Sequence, residues 1–353
     1  MNVGISYWGF CESFHDCNVA DTPDGHRYGR PVLVDDLLSR GHEIYALQKR
    51  REKVPYKGMS YVDYEFPDLD VLFVEWRWPT YKNSGDNKFE PDLDRQAELM
   101  DHYHDKIPVV VWDTDLKLTA NDEERWPNMI VADPTLDPKD FIIPRVRLTF
   151  WSDFKPLFKP SISGVEFGYV GNNYEREDMF KKYYSDPSSL LRSYGIQTKV
   201  WGNWLQRSPE RPPPEGLISS HPFIAFNDRI SFQGSMRVLN SFICTTHITK
   251  PRYSSQGFCS PRYLENIVCN TPALVPSEFL VRDILGKKWS VDNASDVVDR
   301  VVEINRMSVS QREELVNSQR ECLLRVHDFG VRHVSEFLEN VAVNPTKAKK
   351  NMG

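Results

Sequence analysis

The chain is 353 residues long, 40% hydrophobic and 27% charged, with a formal net charge of −6. That length exceeds one ordinary core and points to two domains of roughly 150–180 residues. The absence of any run of about 18 apolar residues argues against a membrane-spanning helix, and the negative balance argues against indiscriminate nucleic-acid binding while leaving room for a local basic groove.

The N-terminal Met1–Tyr7 segment opens directly on a strand, without a charged-then-apolar leader. Six cysteines (Cys11, Cys17, Cys244, Cys259, Cys269, Cys322) include no CxxC pair and read as reduced, packing thiols of a cytoplasmic protein. The first half then alternates short β-branched or aromatic runs with helical patterns, the signature of a parallel sheet with crossover helices. Strands are expected at Val3–Tyr7, Glu43–Leu47, Val71–Glu75, Pro108–Trp112 and Met129–Ala132, and helices at Pro31–Arg40 and Asp92–Tyr103. Gly41 stands where a left-handed C-cap belongs.

A proline-dotted aromatic stretch, residues 151–164, breaks the periodicity and reads as a linker. Beyond it, strands are expected at Val165–Val170, Thr198–Trp201, Pro222–Ala225 and Phe242–Thr245, with a helix near Glu175–Tyr184. Two helical patterns close the chain, Ala294–Arg306 and a long, bent Ser308–Asn340. The predicted division is a first domain at 1–150, a second at 165–325, a helix over 326–343 crossing back to the first, and a polar, basic tail at 344–353. The predicted fold class is α/β, with two Rossmann-like doubly wound domains facing across a cleft and ligands at the C-terminal ends of the strands.

The most informative segment is Gly257–Glu265 with the Asn266–Val275 stretch after it: a loop, a short helix, a tight turn and a buried strand. Arg262 and Glu265 share one face of that helix near its start. The free N–H groups and positive end of a helix suit a phosphate. Arg adds a fork for a diphosphate, and Glu can accept from ribose hydroxyls. Ser260, Arg262 and Glu265 are therefore candidate binders of a nucleotide sugar, a surface ion pair being the other reading. After the first strand of the second half, Gly171 permits close backbone approach and Asn172 turns the chain. Arg176 is expected in the first turn of the next helix, opposing its dipole and so needing an anion: Glu175, Asp178 or a bound diphosphate. Gly202, Asn203 and Gly234 lie in glycine turns of the same kind.

In the first half, strand Pro108–Trp112 runs into Asp113-Thr114-Asp115. Two carboxylates past a strand end suit a general base or a divalent cation; a turn or N-cap is the alternative. The long polar loop from Trp8 to Gly29 carries Asp16, Asp21, Asp24, His26 and Arg27, and His26 is its best single candidate catalyst. Lys49–Lys53 and the Arg145/Arg147 pair are basic patches or solvated loops. His102 and His104 alternate on a helix and do not face one site, so they are not assigned a metal. No G-x-G-x-x-G follows the first strand, against a nicotinamide dehydrogenase.

Three stretches together resemble the nucleotide-sugar glycosyltransferases of the GT-B type, most of all the phage enzymes that glycosylate hydroxymethyl pyrimidines in DNA. They are Gln96–Met100 through Asp113–Leu118 to Trp126–Asn128, Gly168–Asn172 with Arg176, and Ser260–Glu265. The resemblance implies an N-terminal acceptor domain and a C-terminal donor domain binding a UDP-sugar. It implies Asp115 as the base, Asp113 beside it, Arg176 and Arg262 on the diphosphate, and Glu265 on the ribose. Asp24, Arg27 and Lys117 are then candidate acceptor contacts, and Mg2+ or Mn2+ is a candidate cation. The implied partner is double-stranded DNA with hydroxymethylated bases, bound by a monomer in the host cytoplasm. A glycan or small-molecule acceptor, or a non-catalytic binding protein, are the other readings. The chain departs from the family pattern in its long acidic first loop and in Asn270, where Gly is common.

Overall fold

The computed structural model describes residues 1–7, 28–47, 58–76, 91–161, 164–173, 175–205, 214–285 and 287–344. The chain divides into two compact units. One holds the N-terminal strand, residues 28–153 and residues 328–344; the other holds residues 154–327.

The first unit runs β1 (Asn2–Ser6), α1 (Gly29–Ser39), β2 (Glu43–Ala46), β3 (Met59–Tyr61), β4 (Val71–Trp76), α2 (Pro91–Tyr103), β5 (Val109–Asp113), α3 (Ala120–Arg125), β6 (Ile130–Asp133) and β7 (Arg145–Arg147). Its seven strands form one parallel sheet in the order β3-β2-β1-β4-β5-β6-β7, reversing direction of growth between β1 and β4. Every residue of β4 and β5 is buried. A parallel strand covered on both faces needs an unbroken apolar run rather than alternation, which is what Val71–Val74 and Val109–Trp112 supply. Trp112 stacks against Trp151 and donates its indole N–H to Leu148 O at 2.7 Å.

All five strands expected in this half are present, within a residue or so at each end. β3 and β7 were not expected, since three residues carry no period. α3 was not expected either, because Ala120–Arg125 has no apolar stripe; a capping box starts it, with Thr119 and Asp122 satisfying each other's backbone N–H. Gly41 has φ +81°, as a residue just past a helix end requires.

The second unit runs β8 (Glu166–Val170), α4 (Glu177–Phe180), α5 (Asp186–Ser193), β9 (Gln197–Trp201), α6 (Pro214–Ser220), β10 (Ile224–Asn227), α7 (Phe232–Ser241), β11 (Thr245–Thr246), α8 (Pro251–Ser254), α9 (Pro261–Val268), β12 (Ala273–Pro276), α10 (Arg282–Leu285), β13 (Ser290–Val291), α11 (Ala294–Arg306) and α12 (Val309–Leu324). A π-helical turn, Lys181–Ser185, joins α4 to α5. Pro187 explains it: a proline donates no N–H and its ring crowds the carbonyl one turn back. Two parallel three-stranded sheets, β10-β9-β8 and β11-β12-β13, meet edge to edge where Ile243 N donates to Glu166 O at 2.8 Å. At the far end of that seam the Tyr184 hydroxyl accepts from Thr246 N (2.7 Å) and donates to Thr246 O (2.6 Å), replacing ladder bonds. Gly168 is required in β8, since a Cβ there would lie 2.1 Å from the Phe242 ring. Read across the seam, the strand order is the doubly wound one, reversing between β8 and β11.

Two expectations change, the single long C-terminal helix and the linker. The long Ser308–Asn340 helix is two helices, α12 and α13 (Val331–Val343), because Gly330 is extended (φ −85°, ψ 136°) and ends the continuity. α13 belongs to the first unit: Ser152 N donates to Phe329 O (2.9 Å), Val331 N to Ser152 O (3.0 Å), and Glu339 accepts from His42 and Arg40. The stretch read as a linker is packed. Trp151 is fully buried in the first unit, with its N–H on Gly29 O at 2.7 Å, and Leu157 N bonds Val268 O at 2.8 Å in the second.

Candidate functional site

At the C-terminal edge of the second sheet, the turns after β8 and β9 interlock. A Cβ on Gly202 would sit 2.2 Å from Gly171 O, so only glycine fits there. Gly171 N donates to Trp201 O (2.9 Å), Asn203 N to Asn172 Oδ1 (2.8 Å), and the Trp204 indole to Gly171 O (2.7 Å). The structure thus brings Gly171, Asn172, Gly202 and Asn203 together. Gly234 lies beyond β10, in the first turn of α7, where its N–H is taken up by the Ser231 cap at 3.0 Å.

Arg176 is not in the first turn but is the N-cap of α4, because Glu175 is left-handed (φ +54°) and outside the helix. Arg176 Nη1 donates to Asn172 O at 2.7 Å, and its Nε is buried without a hydrogen-bond partner among the described residues. Glu175, one of its expected partners, pairs instead with Lys250 at 3.1 Å.

α9 starts on a capped, proline-led turn. Ser260 caps it by accepting from Arg262 N (3.2 Å), and Pro261 occupies the first position, where its missing N–H costs nothing. Arg262 pairs with Glu265. The pair is not a surface one: the Glu265 side chain is 4% exposed against 27% for Arg262. Asn270 ends the turn after α9 with φ +54°, a conformation that Gly or Asn adopts at least cost, and donates to Phe158 O. That accounts for an Asn where Gly is common.

His247, the first residue past β11, was missed by sequence reasoning. It is 2% exposed, edge-on to Tyr263 and tilted against Phe279, and neither ring nitrogen has a hydrogen-bond partner among the described residues. Burial, reinforced by the charges of Arg176 and Arg262, pushes its imidazole down to about 3. In sequence it is a lone His after an apolar run; only its place at the end of a strand beside the reversal point could have flagged it.

In the first unit, Asp113 and Asp115 separate in role. Asp113 is fully buried; Oδ1 accepts from Lys117 N (2.7 Å), and Oδ2 from Leu118 N (3.0 Å) and Arg145 Nη1 (3.1 Å). Burial raises its carboxyl to about 6 against the opposing pull of those donors. The expectation that Asp113 itself reaches a substrate is thereby corrected: its carboxylate is committed to shaping the 114–119 loop, which Leu116 turns at φ +54°. Asp115 projects from that loop about one-fifth exposed, 3.5 Å from Lys117 Nζ. A cation does not fit Asp113, whose oxygens face N–H donors. Among the described residues no group of three or more His, Cys, Asp and Glu side chains could hold a metal ion.

Arg145 is likewise not a surface cation. It is buried among Asp113, Glu123 (2.9 Å) and Asp133 (3.7 Å), and Arg147 pairs with Asp328. Sequence reasoning also missed the buried pair of Arg30 and Glu75, bidentate at 2.8 and 2.7 Å, at the strand ends near Tyr7. Asp24, His26, Arg27 and the Lys49–Lys53 patch lie outside the described residues. Among the described residues no helix is long and apolar enough to cross a membrane.

No protein-family model matches the chain, and no curated protein matches it. Solved structures do. The T4 phage β-glucosyltransferase in complex with UDP and Mn2+ superposes with a TM-score of 0.64 at 16% identity, over 99% of this chain and 100% of that one. The chain has the GT-B fold. An α-glucosyltransferase in complex with UDP and a 13-mer DNA containing an HMU base shares this fold at a TM-score of 0.58 and 12% identity, over 92% and 94% of the two chains. The Thermobaculum terrenum O-GlcNAc transferase does so at 0.61 and 12%, over 100% of this chain and 69% of its own.

Proposed function

We propose that this protein is a glycosyltransferase that moves a sugar from a UDP-sugar to a hydroxyl group, favouring 5-hydroxymethyl pyrimidines in double-stranded DNA. The observation that carries the reading is the Ser260-capped start of α9, with Arg262 at its mouth and a buried Glu265 one turn on. Arg262 and Arg176 take the diphosphate, Glu265 the ribose, and the Gly171–Gly202 turn admits the nucleotide close to backbone. GT-B neighbours solved with UDP support the donor, and the one solved with HMU-containing DNA supports the acceptor.

In the reaction, Asp115 removes the acceptor hydroxyl proton as that oxygen attacks the anomeric carbon from the side opposite the diphosphate. The bond from anomeric carbon to phosphate oxygen breaks, its electron pair leaving with UDP, and the configuration inverts. Arg176, Arg262 and the α9 N–H groups stabilise the charge developing on the diphosphate. Asp113 and Arg145 act by holding the loop that presents Asp115.

The net charge of −6 favours a second reading, a glycan or small-molecule acceptor. The test is a panel of UDP-sugars, each with hydroxymethylcytosine, hydroxymethyluracil or unmodified DNA, digested to nucleosides for mass analysis. A sugar mass on a modified base establishes the proposed reaction. UDP release from one donor with no DNA product moves the acceptor to the second reading, and silence in both assays rejects the transferase.

A further inference from the structure

Ligands of doubly wound sheets bind beyond the strand ends at the point where strand order reverses. In the second unit that point lies between β8 and β11, and two loops leave it, 171–176 and 247–250, tied together by the Glu175–Lys250 ion pair. His247 opens the second loop, with its ring edge-on to Tyr263 in the first turn of α9 at 5.7 Å between centroids. A core histidine ordinarily satisfies at least one nitrogen. Here Nδ1 and Nε2 are both buried without a hydrogen-bond partner among the described residues, and Arg176 Nε is in the same condition. His247 feels the charges of both Arg176 and Arg262, and Tyr263, against which it packs, stands in the first turn of the Ser260-capped helix.

We propose that His247 is a positioning residue for the donor diphosphate, its neutral ring donating an N–H to a phosphate oxygen while Arg176 and Arg262 supply the charge. The inference rests on the donor-site reading above. Burial, reinforced by the neighbouring guanidiniums, keeps the ring uncharged, and a neutral imidazole offers one donor and one acceptor in fixed directions. It therefore orients the diphosphate without adding a third cation that would hold the UDP product. The hydrogen bond goes to the β-phosphate, which a monophosphate lacks, so it separates nucleoside diphosphates from monophosphates.

UDP and UMP are titrated calorimetrically into the full chain and into His247→Phe, His247→Gln and Arg262→Ala. His247→Phe replaces unsatisfied nitrogens by an apolar ring and is expected to melt no lower than the parent. Its UDP affinity should fall roughly 10- to 100-fold, as for loss of a hydrogen bond to a charged group, with UMP affinity unchanged and His247→Gln intermediate. In the parent, the ring-nitrogen resonances of His247 should move with UDP and stay still with uridine, a readout independent of any variant's folding. UDP affinity unchanged in His247→Phe but lowered in Arg262→Ala overturns the role of His247 and leaves the donor site standing. No UDP binding by the parent overturns both.

Discussion

The loop after β5 in the first unit and the strand ends around β8 and β11 in the second both follow the C-terminal ends of parallel strands, yet their polar groups are treated in opposite ways. Around Asp113 the carboxylates find their partners within the protein: two backbone amides and Arg145 on Asp113, Arg145 in turn on Glu123, and Glu123 on the amides of Ile142 and Ile143, with Arg145 Nε the one nitrogen of these groups left over among the described residues. Around His247 the protein leaves hydrogen bonds open, with buried nitrogens on His247 and Arg176 that nothing among the described residues satisfies. A closed network fixes geometry before any ligand arrives, whereas unsatisfied buried donors cost stability and recover it only from a ligand. The first loop thus reads as preorganised to present one group, Asp115, and the second as built to receive an anion.

Four experiments would break or sharpen that contrast. The largest effect is expected from Asp115→Asn, which should lower transfer about 10²–10⁴-fold, as for loss of a general base, while the UDP dissociation constant stays unchanged; a parallel loss of UDP binding would place Asp115 on the donor side. Next, Glu75→Gln removes the carboxylate charge that faces the buried Arg30 guanidinium and should cost about 3–5 kcal/mol of unfolding free energy in urea titrations.

The third concerns pH. Burial raises Asp113 from 3.8 to about 6, so its contribution to stability is fully present below 3.8 and is lost as pH rises through about 6. The stability of the parent relative to Asp113→Asn should therefore decline over that window, by up to about 3 kcal/mol, in paired urea titrations; a flat difference would mean that Arg145 and the amides fully offset burial. The smallest effect is at Asn270, held at φ +54°. Asn270→Ala should cost about 1–2 kcal/mol for a left-handed residue with a Cβ, and Asn270→Gly distinctly less, by melting temperature.

Much of the fold was legible because its signals are local. The apolar runs of β4 and β5, the Gly41 cap and the Ala294–Arg306 helix need only neighbouring residues to specify them. So does the spacing of Arg262 and Glu265. What sequence could not supply is pairing over distance. Nothing near Arg30 announces Glu75, and nothing near Arg145 announces a cage of three carboxylates. The same limit hid the burial of Asp113, which looks in sequence like an equal of Asp115. It also hid His247, which feels the charges of arginines at the starts of two helices, α4 and α9.

The path of the chain has a consequence for biosynthesis. Helix α13 completes the first unit by packing on α1 and β4, yet it is translated after all of residues 154–327. The unit that begins first therefore cannot be completed until the second has been synthesised. A chain that ends at residue 327 would carry every residue of the second unit but leave the faces of α1 and β4 uncovered in the first. Fragments meant to isolate the first unit must therefore carry α13, fused or added in trans.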